Sequence, residues 1–181
     1  MRRPPTARAF TLVELLIVVT VLGIATAMII PSMGSVGVLR VQAAVRTIVA
    51  DITQVQSEAL AYQQGRAIVF STELNSWSVI EVNGGSLNAE TDTLWTTQIK
   101  GSDFGDSRIA SCDFDGDSTL IFDEMGAPVA APQSTTAAAT GNLVVTGSGQ
   151  SFRITVEAYT GKVVVSSITP TDAGDDSTSG S

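Results

Sequence analysis

From Phe10 to Ile30 the chain reads FTLVELLIVVTVLGIATAMII, 21 residues with one ionisable side chain, Glu14. No other stretch limits the fold as strongly. A helix rising about 1.5 Å per residue carries this run across about 30 Å, the depth of a bilayer core. Arg2, Arg3 and Arg8 precede it, and residues 1–9 contain no acid. A basic flank followed by an apolar run predicts a single inner-membrane helix with its N-terminus inside and the following chain outside. A secretory signal would have a shorter apolar core, about 7–15 residues, and a small-residue cleavage site. Pro31-Ser32-Met33-Gly34 is a poor version of that site. A plain anchor explains the length and leaves the acid unexplained, because a carboxylate within an apolar span costs about 2.5–3.5 kcal/mol.

The segment Ala9-Phe10-Thr11-Leu12-Val13-Glu14-Leu15-Leu16-Ile17-Val18-Val19 resembles the prepilin signature of type IV pilins and type II secretion pseudopilins. The resemblance implies that a prepilin peptidase cuts between Ala9 and Phe10. It also implies that the same enzyme methylates the new amine of Phe10. Glu14, four residues on and on the same helix face, is then expected to accept the N-terminal amine of a neighbouring subunit during assembly. Ala9 stands where the family usually has Gly, and alanine is the smallest alternative.

Beyond the apolar run, Val41, Val45, Ile48, Ile52, Val55, Ala59 and Tyr62 recur at alternating steps of four and three. That spacing predicts one apolar stripe along a helix. Arg40, Arg46, Asp51, Gln54 and Glu58 fall mostly on its other faces. Gln63-Gln64-Gly65 predicts the stop, with Gly65 as the left-handed cap. Pro31 predicts a kink, and Ser32, Gly34, Ser35 and Gly37 after it are weak helix formers that allow local melting. From Arg66 the period becomes two. Strands are predicted at 66–71, 77–82, 93–99, 108–113, 118–123, 142–146, 151–158 and 162–168, joined by short turns and therefore antiparallel. Residues 127–141 read as a loop, and the polar, acidic 169–181 as a disordered tail.

The order of a leading helix, QSEALAYQQGRAIVFS, Trp77 in the next strand, TLIFDEMGAP and a GKVVVSS ending resembles the GspH/FimT-type minor pseudopilins. The resemblance implies an α+β, pilin-like fold, a long N-terminal helix packed on antiparallel β-sheets. It divides the chain into a leader (1–9), a transmembrane and assembly helix (10–30), its amphipathic continuation (31–65), a β domain (66–168) and the tail (169–181). The partners it implies are other pseudopilins or pilins, the prepilin peptidase/methylase and the inner membrane, with the β domain in the periplasm and the subunit entering a pseudopilus that supports protein export. Two other readings fit the residues: a type IV pilus minor pilin for adhesion, motility or DNA uptake, and a membrane-anchored periplasmic protein of unrelated role.

Composition removes most enzyme chemistries. There is no histidine, which excludes His-based triads and zinc motifs. Cys112 is alone, so neither an internal disulfide nor a thiolate metal cage can form. No catalytic residue and no cofactor is expected. Ten basic against 18 acidic residues give a net charge of −8, and the segment after Ala127 has only Arg153 and Lys162 as cations. Phosphate is repelled from such an end, so no nucleic acid is expected as partner. The densest acidic cluster sets Asp113, Asp115, Asp117 and Glu124 at spacings of a calcium loop, with Ser118 where that loop needs glycine. The expected reading is a turn without metal, with calcium as the alternative. The aromatic residues, Trp77 among them, are expected in the core rather than on a ligand platform.

Overall fold

The computed structural model describes residues 10–29 and 34–169. The chain divides into two compact units near Val36. In the first, α1 spans Leu12–Ile29, 18 residues. In the second lie most of α2 (Gly34–Tyr62) and eight strands. The leader 1–9, Pro31 with its predicted kink, and 170–181 of the tail lie outside the described residues. Among the described residues no helix is long and apolar enough to cross a membrane. α1 starts at Leu12 rather than Phe10 because Thr11 caps it, and Ile30 at the far end is not described. Its 18 described residues rise about 27 Å.

The apolar stripe on α2 faces inward from Val41 to Ala59, with Ala44 added, and each of these side chains is buried. Tyr62 is the exception, exposed at the helix end. Its ring lies over the Arg66 guanidinium, 5.7 Å from the centroid, which gives it a cation instead of the core. The cap also differs from expectation. Gln63 takes the left-handed conformation, with φ of 50°, and the Gln64 amide donates back to the Ala59 carbonyl at 3.1 Å, the longer bond of a Schellman motif. Gly65 is needed instead for close approach: a Cβ there would meet the Val82 side chain at 3.1 Å and the Phe122 carbonyl at 3.3 Å. Gly34–Gly37 is helical, and a Cβ on Gly37 would collide with Ser148, so this glycine serves packing.

Two four-stranded antiparallel sheets follow. The first orders β3 (Thr93–Gln98), β2 (Ser76–Glu81), β1 (Arg66–Ser71) and β5 (Thr119–Phe122); the second orders β4 (Arg108–Asp113), β6 (Gly141–Gly147), β7 (Gln150–Val156) and β8 (Val163–Ile168). One core joins α2 to both sheets through Ile68, Phe70, Trp77, Val79, Phe122, Leu143, Val145 and Ile154. The first sheet is also covered on its far face, where Ala67, Ile80, Val82, Ile121 and Val129 form a second cluster. Residues 127–141 are therefore a loop that supplies core. Val129 bridges to Ala137, and its amide donates to the Ile121 carbonyl at 2.9 Å.

Polar side chains lock these layers at three places. Asn75, with φ of 52° in the β1–β2 turn, donates to the carbonyls of Ile99 at 3.0 Å and Ser107 at 2.9 Å, and accepts from the Ile109 amide at 2.8 Å. It ties the end of the first sheet to the start of the second. Gln56 on α2 donates to the carbonyls of Gly126 at 2.8 Å and Thr160 at 3.0 Å, pinning two loops to the helix. Asp51 accepts from Trp77 Nε1 at 2.7 Å and Thr97 Oγ1 at 3.2 Å. The sequence placed Asp51 on the outer faces of the helix; in the fold it is partly buried against β2 and β3. Gln56→Ala is expected to cost about 1–3 kcal/mol, since two carbonyls lose a shared donor. Hydrogen exchange should quicken in the loops around Gly126 and Thr160, with α2 unchanged.

Candidate assembly site

α1 is apolar all round. Leu12, Val13, Leu15 to Val19, Val21, Leu22 and Ile24 are 47–81% exposed, so within this unit nothing covers them. Its threonines close their hydroxyls internally. Thr20 Oγ1 donates to the Leu16 and Ile17 carbonyls at 2.9 and 2.8 Å, and Thr26 Oγ1 to Leu22 at 2.8 Å. A polar hydroxyl satisfied in this way can enter an apolar medium at little cost.

Glu14 is different. It sits in the first turn of α1, exposed, and its carboxylate has no partner among the described residues. Its amide is held: Thr11 Oγ1 accepts from Glu14 N–H at 3.2 Å, and the Thr11 carbonyl accepts from Leu15 N–H at 3.2 Å. Thr11 is thus the N-cap and Glu14 the N3 residue. The signal was in the sequence as Thr-x-x-Glu ahead of an apolar run, and reading for the prepilin pattern alone passes over it. The cap fixes where the helix starts, and the helix dipole favours an anion there. Phe10, just ahead of the cap, is 76% exposed, accessible from its backbone outward. Ala9 lies outside the described residues.

The acidic cluster is a set of turns. Phe114 and Asp117 form a bridge, with Asp115 and Gly116 at φ of 59° and 85° between them, the geometry of a two-residue type I′ hairpin. Asp113 accepts from the Gly116 amide at 2.8 Å and Asp117 from the Ser118 amide at 2.6 Å. Glu124 belongs to the next turn, organised by Asp123. Among the described residues no three acids or thiols gather to hold a metal, and Asp113, Asp115, Asp117 and Glu124 do not assemble the calcium loop their spacing allows. Two of their carboxylates are used on backbone amides instead.

Cys112 on β4 is a partly buried free thiol. Burial, with the Asp113 and Asp117 charges adding to it, pushes its pKa up to about 12. A thiol raised in this way stays protonated and unreactive. Between pH 9 and 12 the unfolded thiol ionises first, so the native state holds the extra proton and stability falls as pH rises. Cys112→Ser is expected to flatten that part of the stability profile, measured by denaturant titration. Alkylation of the native chain at pH 8 should be slow until denaturant is added.

A helix laid across two antiparallel sheets, led by an apolar helix with one acid in its first turn, defines a pilin-like α+β subunit. Residues 5–30 match the prokaryotic N-terminal methylation motif, and residues 44–161 match the family described as type II transport protein GspH. The second match covers more than half of the chain, which belongs to the GspH family, the minor pseudopilins of type II secretion. Among solved structures, the minor pseudopilin EpsH from the type 2 secretion system of Vibrio cholerae is similar at 11% identity with a TM-score of 0.46, over 72% of this chain and 98% of that one. No curated protein matches the sequence.

Proposed function

We propose that the chain is made as a precursor, cut between Ala9 and Phe10, methylated at Phe10, and assembled through α1 into a pseudopilus that supports protein export. The observation that carries this reading is the exposed carboxylate of Glu14, without a partner among the described residues, in a helix whose Thr20 and Thr26 hydroxyls are closed internally. A free amine at a neighbour's Phe10 supplies the missing cation. Two such charges in an apolar surrounding attract far more strongly than in water, and each offsets the burial of the other.

Before assembly α1 resides in the inner membrane with the β domain in the periplasm. It then moves from lipid into a bundle of sister helices. Both surroundings are apolar, so the transfer never exposes the helix to water. The partners are other pseudopilins and the prepilin peptidase/methylase. The chain is a substrate of that enzyme and performs no catalysis itself, and nucleic acid is not among its partners. Intact-mass measurement of membrane-extracted protein tests the first step. The expected mass lacks residues 1–9 and gains one methyl group. A full-length mass retaining the three arginines rules out assembly through a Phe10 amine.

A further inference from the structure

Four strands end the two sheets, and three of them are closed to further pairing. β3 carries a register shift opposite Val79 and Ile80, which leaves Leu94 as an extra residue. β4 carries another around Ala110, between Ile109 and Ser111. β5 is four residues long and is covered by the chain at Pro128 and Val129. Bulges, short length and a covering loop are the usual ways an edge is made unavailable. β8 has none of them. It pairs with β7 over six consecutive residues without a shift. Val163–Ile168 contains no charge and no proline, and among the described residues nothing pairs with its outer side.

The open edge continues into a groove of about 490 Å³ between α2 and the second sheet, lined by Val45, Val49, Ala50, Phe152 and Val165 together with the polar Gln42 and Arg46. Val165 lies opposite Ile154 in the ladder, so it points to the helix side and forms part of the groove floor. A strand added beside β8 would lie about 4.8 Å away. Every second side chain of such a strand would drop into the groove, the others facing solvent. Arg46 is exposed and makes no ion pair among the described residues. Lys162, also exposed, stands at the head of β8. Two cations without an ion pair among the described residues, on a chain of net charge −8, favour an acid on whatever docks there. Residues 170–181 have acids, but Pro170, which has no amide to give a ladder, and Ala173 are their only apolar side chains. A second copy of β8 brings valines and no acid.

We infer that β8 and this groove receive an extended segment of a different chain, one that alternates apolar and polar residues and ends in an acid, added to the second sheet as a fifth strand. This goes beyond membership of the family and does not depend on Glu14.

The test uses the full chain in detergent micelles with a panel of synthetic peptides. Each peptide has Val, Leu or Phe at alternating positions, Thr between them and Asp at one end. At least one peptide is expected to slow amide exchange within Val163–Ile168 about tenfold or more. Val165→Lys, which puts a charge on the groove floor, should weaken that peptide about tenfold, whereas Val165→Thr should bind close to wild type. Arg46→Glu should shift preference to the same peptide ending in Lys. The proposal is overturned if no panel member slows exchange in β8, or if Val165→Lys binds unchanged. It is likewise overturned if an N-methylated peptide unable to form ladder bonds binds as well. Slow exchange of β8 in the chain alone that rises with its own concentration would assign the edge to a second copy and also overturn it.

Discussion

Replacing Trp77 with alanine is expected to destabilise the β domain by about 3–5 kcal/mol. The side chain is among the largest that are fully buried. It packs beside Phe70, ring centroids 6.4 Å apart, and Phe70 in turn stacks on Phe114 at 5.5 Å. Truncation opens a cavity at the centre of the core that joins α2 to both sheets. It also removes the indole donor from Asp51, leaving a partly buried carboxylate with Thr97 alone. Domains of this size are stable by about 5–15 kcal/mol, so this one change removes a large share. Denaturant unfolding followed by circular dichroism measures it. Trp77→Phe separates the two contributions, because it keeps most of the packing and loses the bond to Asp51. Its cost should be about 1–3 kcal/mol. An alanine variant that unfolds at the wild-type midpoint would show that Trp77 does not hold α2 to the sheets.

Glu14→Ala is expected to leave that unfolding midpoint unchanged and to reduce incorporation into the pseudopilus to about one per cent or less. Removing one partner of a charge pair in an apolar setting costs about 3–5 kcal/mol, more than a hundredfold in association. Recovery of sheared filaments, with the variant quantified by immunoblot, gives the readout. The cap at Thr11 makes a control necessary. Thr11→Ala removes the N-cap oxygen, at about 0.5–2 kcal/mol, while the carboxylate stays. Glu14→Gln keeps a side chain suited to the N3 position while the charge goes. A charge role predicts that Glu14→Gln fails like Glu14→Ala and that Thr11→Ala is milder. Wild-type incorporation of Glu14→Gln would reduce Glu14 to a capping residue.

The sequence determined those features that arise within a few residues of one another. A seven-residue stretch of α2 repeats its apolar pattern, and each strand alternates, because helix and strand turn their side chains at fixed periods. The apolar run with its acid was legible for the same reason, as were the Asp-Gly turn and the absence of histidine chemistry. What stayed hidden depends on contacts across the chain. Asp51 looked like an outer residue because its partner Trp77 is 26 positions away. Gln56 looked like any polar residue because its two carbonyls lie 70 and 104 positions on. Tyr62 continued the stripe by period, yet it left the core for Arg66 once the chain turned at Gln63.

Strand order likewise came only with the tertiary structure. Periodicity says that a segment is extended, and it cannot say that β5 pairs with β1 or that the far face of the first sheet is covered by residues near Val129. Nor does it say which strand is left at an edge. That depends on which backbone groups find partners, and in this chain it leaves the outer side of β8 unpaired beside an apolar groove while bulges and a loop close the other edges. Local chemistry specified the elements of this protein; long-range hydrogen bonding and burial decided how they face one another.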